Sequence, residues 1–322
     1  MRILHWHVHA AWSTAFVQGP HTYLIPTVPG RTPEGAGRPR TYDWPEAAVE
    51  ITPEALGDAD IDVVVLQRPG DEELARRWLG GRRPGRDVPA VWLEHNAPQG
   101  RIGDLRHPVA DRDDLTLVHV THTNDLFWDS GSTPTTVIDH GIVDPGHRYT
   151  GELERAAVVV NEPLRRGRVT GTDLLVPLSR ALPIDLFGIA SVEAAAALRD
   201  TGGDVTAGGD LPHAELHEAM ARRRVYLHPV RWTSLGLSLL EAMHLGMPVV
   251  ALSTTDVPEA VPPEAGVVSN RLAVLTDALR RLGADAEEAA QRGKAARAAA
   301  LERHGLARFL ADWDRLLARV VA

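Results

Sequence analysis

Three groups of residues have types and spacings that could do chemistry. The first is Ser234-Leu235-Gly236-Leu237, set between an apolar run at residues 225–228 and a helical pattern over Leu237–Leu245. Ser234 is suited to an N-cap, and Gly236 lets a ligand approach the backbone. Free amides at a helix start, aided by the helix dipole, form an anion site. Four residues on, Glu241 is a carboxylate flanked by Leu239, Leu240, Ala242 and Met243. Buried, it needs polar partners such as a vicinal diol; turned outward, it is an ordinary helix acid. The second group, Arg165, Arg166 and Arg168, offers guanidinium forks that suit bidentate phosphate contact, or else a solvated basic turn.

The third group is the histidines, 15 in all. His95 closes the apolar run at residues 90–94, beside Asn96, as a ligand-facing group or a cap for the strand end. His5, His7 and His9 alternate along the opening run, as a metal-ligand set or as one packed strand face. His213 and His217 have a zincin-like i, i+4 spacing. The glutamate between them, Glu215, does not directly follow the first histidine, so HExxH chemistry fails. His122 and His140 stand at later strand ends. Arg76, Arg77, Arg82, Arg83 and Arg86 surround Trp78 and Leu79, as a contact for an anionic membrane surface or a solvated helix end.

Composition narrows the chemistry. Of 322 residues, 43 are acidic and 34 basic, a net charge of −9, and there is no cysteine. The only lysine is Lys294, with neither serine nor threonine after it. A Walker lysine, a Schiff-base amine, a thiolate nucleophile, a disulfide framework and a cysteine–zinc site are thereby excluded. Net negative charge speaks against a general nucleic-acid binder. No apolar run approaches the roughly 18–20 residues that span a bilayer. The opening residues form a strand rather than a signal sequence, so a cytoplasmic protein is expected, peripheral at most on the inner membrane face.

These residues need a scaffold of strands and helices. Apolar runs at residues 1–9, 61–66, 90–95, 115–121 and 135–138 alternate with helical patterns such as 71–79. Residues 10–19 read as a loop, and 26–45 are too rich in proline and glycine for a long element. After a polar linker at 140–155 the pattern restarts. Strands are expected at 156–160, Ile184–Phe187, 225–228, 248–252 and Gly266–Val268. Helices are expected at 193–199, 213–222, Leu237–Leu245 and 272–282, and the tail from 285 is helical. Continuous β-branched runs between helices indicate parallel sheets covered on both faces. The expected fold class is α/β, with two tandem Rossmann-like domains and a ligand cleft between them. The division falls at residues 1–145 and 146–322, with the last helix a candidate to pack back on the first domain.

Read as one string, Pro229, Leu235-Gly236-Leu237, Leu240-Glu241-Ala242-Met243 and Gly246-Met247-Pro248-Val249-Val250-Ala251 resemble the signature of the retaining glycosyltransferases of family 4 (group 1). Pro258-Glu259-Ala260-Val261 and Gly266 extend the likeness. That family has the GT-B architecture. The resemblance implies a retaining, metal-independent transferase without cofactor, moving a sugar from a nucleotide-sugar donor to a saccharide, lipid or small-molecule acceptor. Glu241 would hold the ribose. Residues 234–237 with Arg165, Arg166 and Arg168 would hold the diphosphate, and His95 would stand near the reacting sugar.

The sequence departs from the family at four places. Thr233 replaces the first of two motif glutamates, eight residues before Glu241. Thr170 stands where a clamp lysine belongs, and Thr254-Thr255 where a glycine pair is usual. Ser13 and Thr14 replace a glycine-rich acceptor or phosphate loop. Thr233 keeps two other readings open, a nucleotide-sugar binder without transfer activity and an epimerase or hydrolase on the same fold.

Overall fold

The computed structural model describes residues 1–322 as two compact units, Met1–Val143 with Leu306–Ala322, and Asp144–Gly305. In the first unit the chain runs β1 (Arg2–His5), α1 (Ala10–Phe16), β2 (Thr22–Pro26), β3 (Ala48–Ile51), α2 (Pro53–Leu56) and β4 (Val63–Leu66). It continues through α3 (Pro69–Trp78), β5 (Ala90–Glu94), β6 (Thr116–His119), α4 (His122–Phe127) and β7 (Thr135–Val137). All seven strands pair in parallel, in the order β3-β2-β1-β4-β5-β6-β7. The reversal of order lies between β1 and β4, where Ile3, Leu4 and His5 pair with Val63, Val64 and Val65.

The second unit comprises β8 (Leu153–Val159), α5 (Pro163–Arg166), α6 (Thr172–Ser179), β9 (Ile184–Phe187), α7 (Ser191–Asp200) and β10 (Val205–Gly209). Then follow α8 (His213–Ala221), β11 (Arg223–His228), α9 (Leu237–Leu245), β12 (Val249–Ala251), α10 (Val257–Ala260) and β13 (Gly266–Val268). Helices α11 (Leu272–Ala284) and α12 (Ala286–His304) complete it. Its six strands are also parallel, ordered β10-β9-β8-β11-β12-β13, with the reversal between β8 and β11. Both sheets are fully apolar at their centres: Val63–Leu66 and Val225–Leu227 are entirely buried.

Two expectations are corrected. Residues 10–19 are not a loop. Ala10 and Ala11 start a helix whose Trp12 and Phe16, at i and i+4, face the same side, and no glycine intervenes before Gly19. The opening strand also stops at His5, so His7 and His9 lie beyond the sheet. Edge strands β3 and β10, with Glu50 in one and Gly208-Gly209 in the other, lack the apolar pattern that reveals central strands.

The last helix, α13 (Leu306–Val321), belongs to the first unit. Phe309, Trp313, Leu316 and Leu317 form its buried stripe at i, i+4, i+7 and i+8. Trp313 meets Phe16 and Trp12 edge-on, with ring centroids 5.0 and 5.5 Å apart, and Trp12 stacks on Phe16 at 4.7 Å. Trp313→Ala is expected to destabilise the first unit by about 3–5 kcal/mol. Urea unfolding followed by far-UV circular dichroism checks this, and an unchanged midpoint would contradict the packing role given to α13.

Candidate active site

In the second unit the candidate residues gather where the strand order reverses. Strand β11 ends at His228, and α9 begins at Leu237. Gly236, not Ser234, occupies the N-cap position, and no side chain caps the helix. The capping role expected of Ser234 is therefore corrected: it sits two residues upstream and is buried. Gly236 is required for another reason. A Cβ there would meet His228 Cε1 at 2.5 Å, so the loop lies directly on the imidazole that closes β11. Burial pushes the His228 pKa down to about 4, leaving the ring neutral. Leu237 and Ser238 open the helix, ahead of any i−4 carbonyl.

The loop after β8 is stitched to this segment. Gly171, at φ +73°, would place a Cβ 1.9 Å from the Pro229 carbonyl oxygen, so only glycine permits the approach. The Arg231 amide donates to Val169 O at 2.8 Å. Thr170, in the place of the family's lysine, is buried and shares hydroxyl contacts with Gly167 O (3.1 Å) and Thr172 Oγ1 (3.0 Å). Thr233 is partly exposed in the loop after β11.

The arginines differ sharply in their commitments. Arg165 donates through Nε to Glu162 at 2.8 Å, and Arg168 to Asp173 at 2.9 Å. Arg231, which sequence reasoning passed over although it lies inside the signature, also donates to Asp173 at 2.9 Å. Arg166 is half-buried without a carboxylate partner. Burial first, then the charge of Arg165, lowers its pKa; a guanidinium nonetheless stays protonated.

Glu241 lies one turn into α9 and is buried. His213 Nε2 donates to its Oε1 at 3.0 Å, and His217 Nε2 approaches its Oε2 at 3.6 Å. Burial alone would push this carboxyl up, but the two imidazoles outweigh it and hold the pKa at about 2. Glu241 is thus an anion with two imidazoles at its edge. The i, i+4 histidine pair has found its carboxylate on the next helix rather than at Glu215, which a scan of one helix could not reveal. The three ligand atoms lie within 4.8 Å of one another, so this group can hold a metal.

In the first unit a second polar cluster sits at the reversal between β1 and β4. Gln67 Nε2 donates to the Trp6 carbonyl (2.8 Å) and to His5 Nδ1 (3.1 Å). A carbonyl only accepts, so the amide orientation is fixed and Oε1 must accept from His95 Nε2, at 2.9 Å. His95 therefore carries its proton on Nε2 and leaves Nδ1 as an acceptor. His5 in turn donates from Nε2 to Ser13 Oγ at 2.9 Å. Burial holds His95 well below the usual histidine range, with His9 and His140 adding to it, and takes His5 to about 3.

Ser13 is thus enclosed in this network, on a helix rather than in the expected ligand loop. Thr14 bonds Ala10 O (2.7 Å) and Trp44 Nε1 (2.9 Å). His7 turns away to Gly37 O, so His5, His7 and His9 do not converge. Around α3, Arg76, Arg83 and Arg86 are paired with Glu73, Asp87 and Asp114, and Trp78 is buried on Trp6. No helix is long and apolar enough to cross a membrane.

Residues 190–299, wholly within the second unit, match the family model for glycosyl transferases group 1. No curated protein matches the chain significantly. S. aureus TarM is similar in structure, with a TM-score of 0.62 and 13% identity over 79% of this chain and 55% of TarM. The chain thus spans about half the length of TarM. Sucrose-phosphate synthase from Thermosynechococcus elongatus gives a TM-score of 0.74 and 15% identity over 99% of both chains. Anabaena HepE in complex with UDP gives 0.70 and 13%, over 99% of this chain and 100% of HepE. The chain has the GT-B fold, and its second unit resembles the group 1 glycosyltransferases.

Two measurements test this description. His228 and His119 are held near 4 and His5 near 3 in the fold, against an ordinary 6.5. As the pH falls below 6.5 the unfolded chain takes up these protons first, so their stabilisation is complete above that pH and declines below it. The urea midpoint is expected to be lower at pH 5 than at pH 7.5, and an equal midpoint would show these rings to be solvated. Thr255, where a glycine is usual, holds φ at +48°. A β-branched residue is strained there, so Thr255→Gly is expected to raise stability by about 1 kcal/mol, read from the same unfolding curve.

Proposed function

We propose that the protein is a retaining glycosyltransferase that takes its sugar from a nucleoside diphosphate donor. One observation carries this reading. The loops after β8 and β11 converge beside the strand reversal, and α9 offers its open amides and Glu241 about 6 Å apart along a single axis. Open amides followed by a carboxylate support a reading in which a diphosphate and then a ribose are held in series. In support, HepE is described in complex with UDP-glucose.

In this reading the Glu241 carboxylate, ionised and with lone pairs left over, accepts the ribose hydroxyls. Residues 235–237 present amides to the diphosphate. Arg166 supplies charge without first breaking an ion pair, and Arg165, Arg168 and Arg231 join by exchanging a carboxylate for phosphate. The departing diphosphate is stabilised by fixed dipoles and guanidinium, without a metal. In the first unit, His95 offers Nδ1 as an acceptor for a sugar hydroxyl. Retention follows from the family likeness, in which the enzyme positions the acceptor and stabilises the leaving group.

Thr233 favours one alternative. Its hydroxyl stands where the family's first glutamate meets the donor sugar, so the site could bind a nucleotide-sugar without transferring it.

Thermal shift with UDP, GDP, ADP and their sugars tests the donor site. A ligand at 100 times its Kd adds about 2.7 kcal/mol. Glu241→Ala is expected to abolish the shift, and Arg166→Ala to weaken binding about 10–100-fold, the worth of one charged hydrogen bond. No shift with any nucleotide would sink the donor site. Nucleotide binding without diphosphate release across an acceptor panel would favour the binding-only alternative.

A further inference from the structure

We propose that His213, His217 and Glu241 form a binding site for a divalent transition-metal ion. The three side chains converge from two helices. His213 and His217 lie one turn apart on α8, their rings 4.1 Å between centroids, and Glu241 faces them from α9. Their ligand atoms all fall within 4.8 Å of one another. Two imidazoles and a carboxylate are a borderline donor set that suits zinc, nickel, cobalt or copper and leaves a position open; magnesium and calcium prefer oxygen alone.

A second observation points the same way. The side chain of His217 is only 5% exposed, and its Nε2 is buried with no hydrogen-bond partner, 3.6 Å from Glu241 Oε2. A buried ring nitrogen aimed at an anion and unsatisfied by it is costly; a cation between them satisfies both. His213, with its side chain 27% exposed, opens the group to solvent and gives an ion its way in.

The site rests on side-chain geometry alone and does not depend on the glycosyl-transfer reading, although the two compete for Glu241. It also differs from a diphosphate-bridging metal. The ion would take the carboxylate that the ribose reading assigns to hydroxyls.

Equilibrium dialysis of the full chain against Zn²⁺, with Co²⁺ absorption as a spectroscopic readout, tests the site. Since other histidines can hold stray zinc, the measure is the difference between proteins. Wild type is expected to bind one equivalent more than His217→Ala, and to show a Co²⁺ visible band that this variant loses. His213→Ala, checked for native fold by far-UV circular dichroism, should weaken that equivalent at least tenfold. Equal stoichiometry and spectra in wild type and both variants would overturn the site. UDP thermal shift on the same proteins freed of metal separates the two readings: metal without nucleotide upholds the site and sinks the donor reading, and nucleotide without metal does the reverse.

Discussion

In each sheet one strand has neighbours whose connections leave in opposite directions. Crossovers between parallel strands are right-handed, so a reversal of strand order sends the flanking helices to opposite faces and parts the loops above them. That happens between β1 and β4 and again between β8 and β11. Each candidate cluster depends on it. His5, Gln67 and His95 follow the ends of β1, β4 and β5; the loop carrying Arg166 and Gly171 follows β8, and Pro229 to Gly236 follows β11. Two glycines then set how closely these loops sit. Gly171 lies against the Pro229 carbonyl, and Gly236 against His228.

The two clusters manage charge in opposite ways. In the first unit the histidines are buried and neutral, so the network works through fixed dipoles: Trp6 orients Gln67, and Gln67 fixes the proton on His95. In the second unit charge is kept and balanced. Glu162 pairs with Arg165 and Asp173 is shared by Arg168 and Arg231, while Glu241 stays ionised between imidazoles. In the proposed reading, a phosphate that meets Arg165 or Arg168 first displaces a carboxylate. Exposed pairs of this kind are weak, so the exchange is cheap.

How much of this was legible in the sequence followed from how local each signal is. Ile184–Phe187, Leu237–Leu245 and Gly266–Val268 were placed to the residue because continuous apolar runs meet clear glycine and proline stops. Glu241 was picked out because a carboxylate inside an apolar helix face demands a partner. Its partners were hidden, since the pairing of α8 with α9 depends on tertiary packing. The helix at Ala10–Phe16 was missed because a glycine-rich loop was expected there, which outweighed its own alanines and aromatics. Helix α6 escaped notice because Pro177 lies inside it. A chain whose only lysine is Lys294 must draw its cationic charge from arginine, but which arginines are committed to neighbouring acids is a matter of distance, not composition.

The membership of α13 in the first unit has a consequence for how the molecule is made. The second unit is a continuous stretch, Asp144–Gly305, whereas the first needs residues from both chain ends. A polypeptide emerging from the ribosome usually folds N-terminal parts first. Here the Trp12 and Phe16 surface waits, uncovered, until Phe309 and Trp313 have emerged. The second unit can reach its final packing earlier, so the part of the chain born first is the part that finishes last.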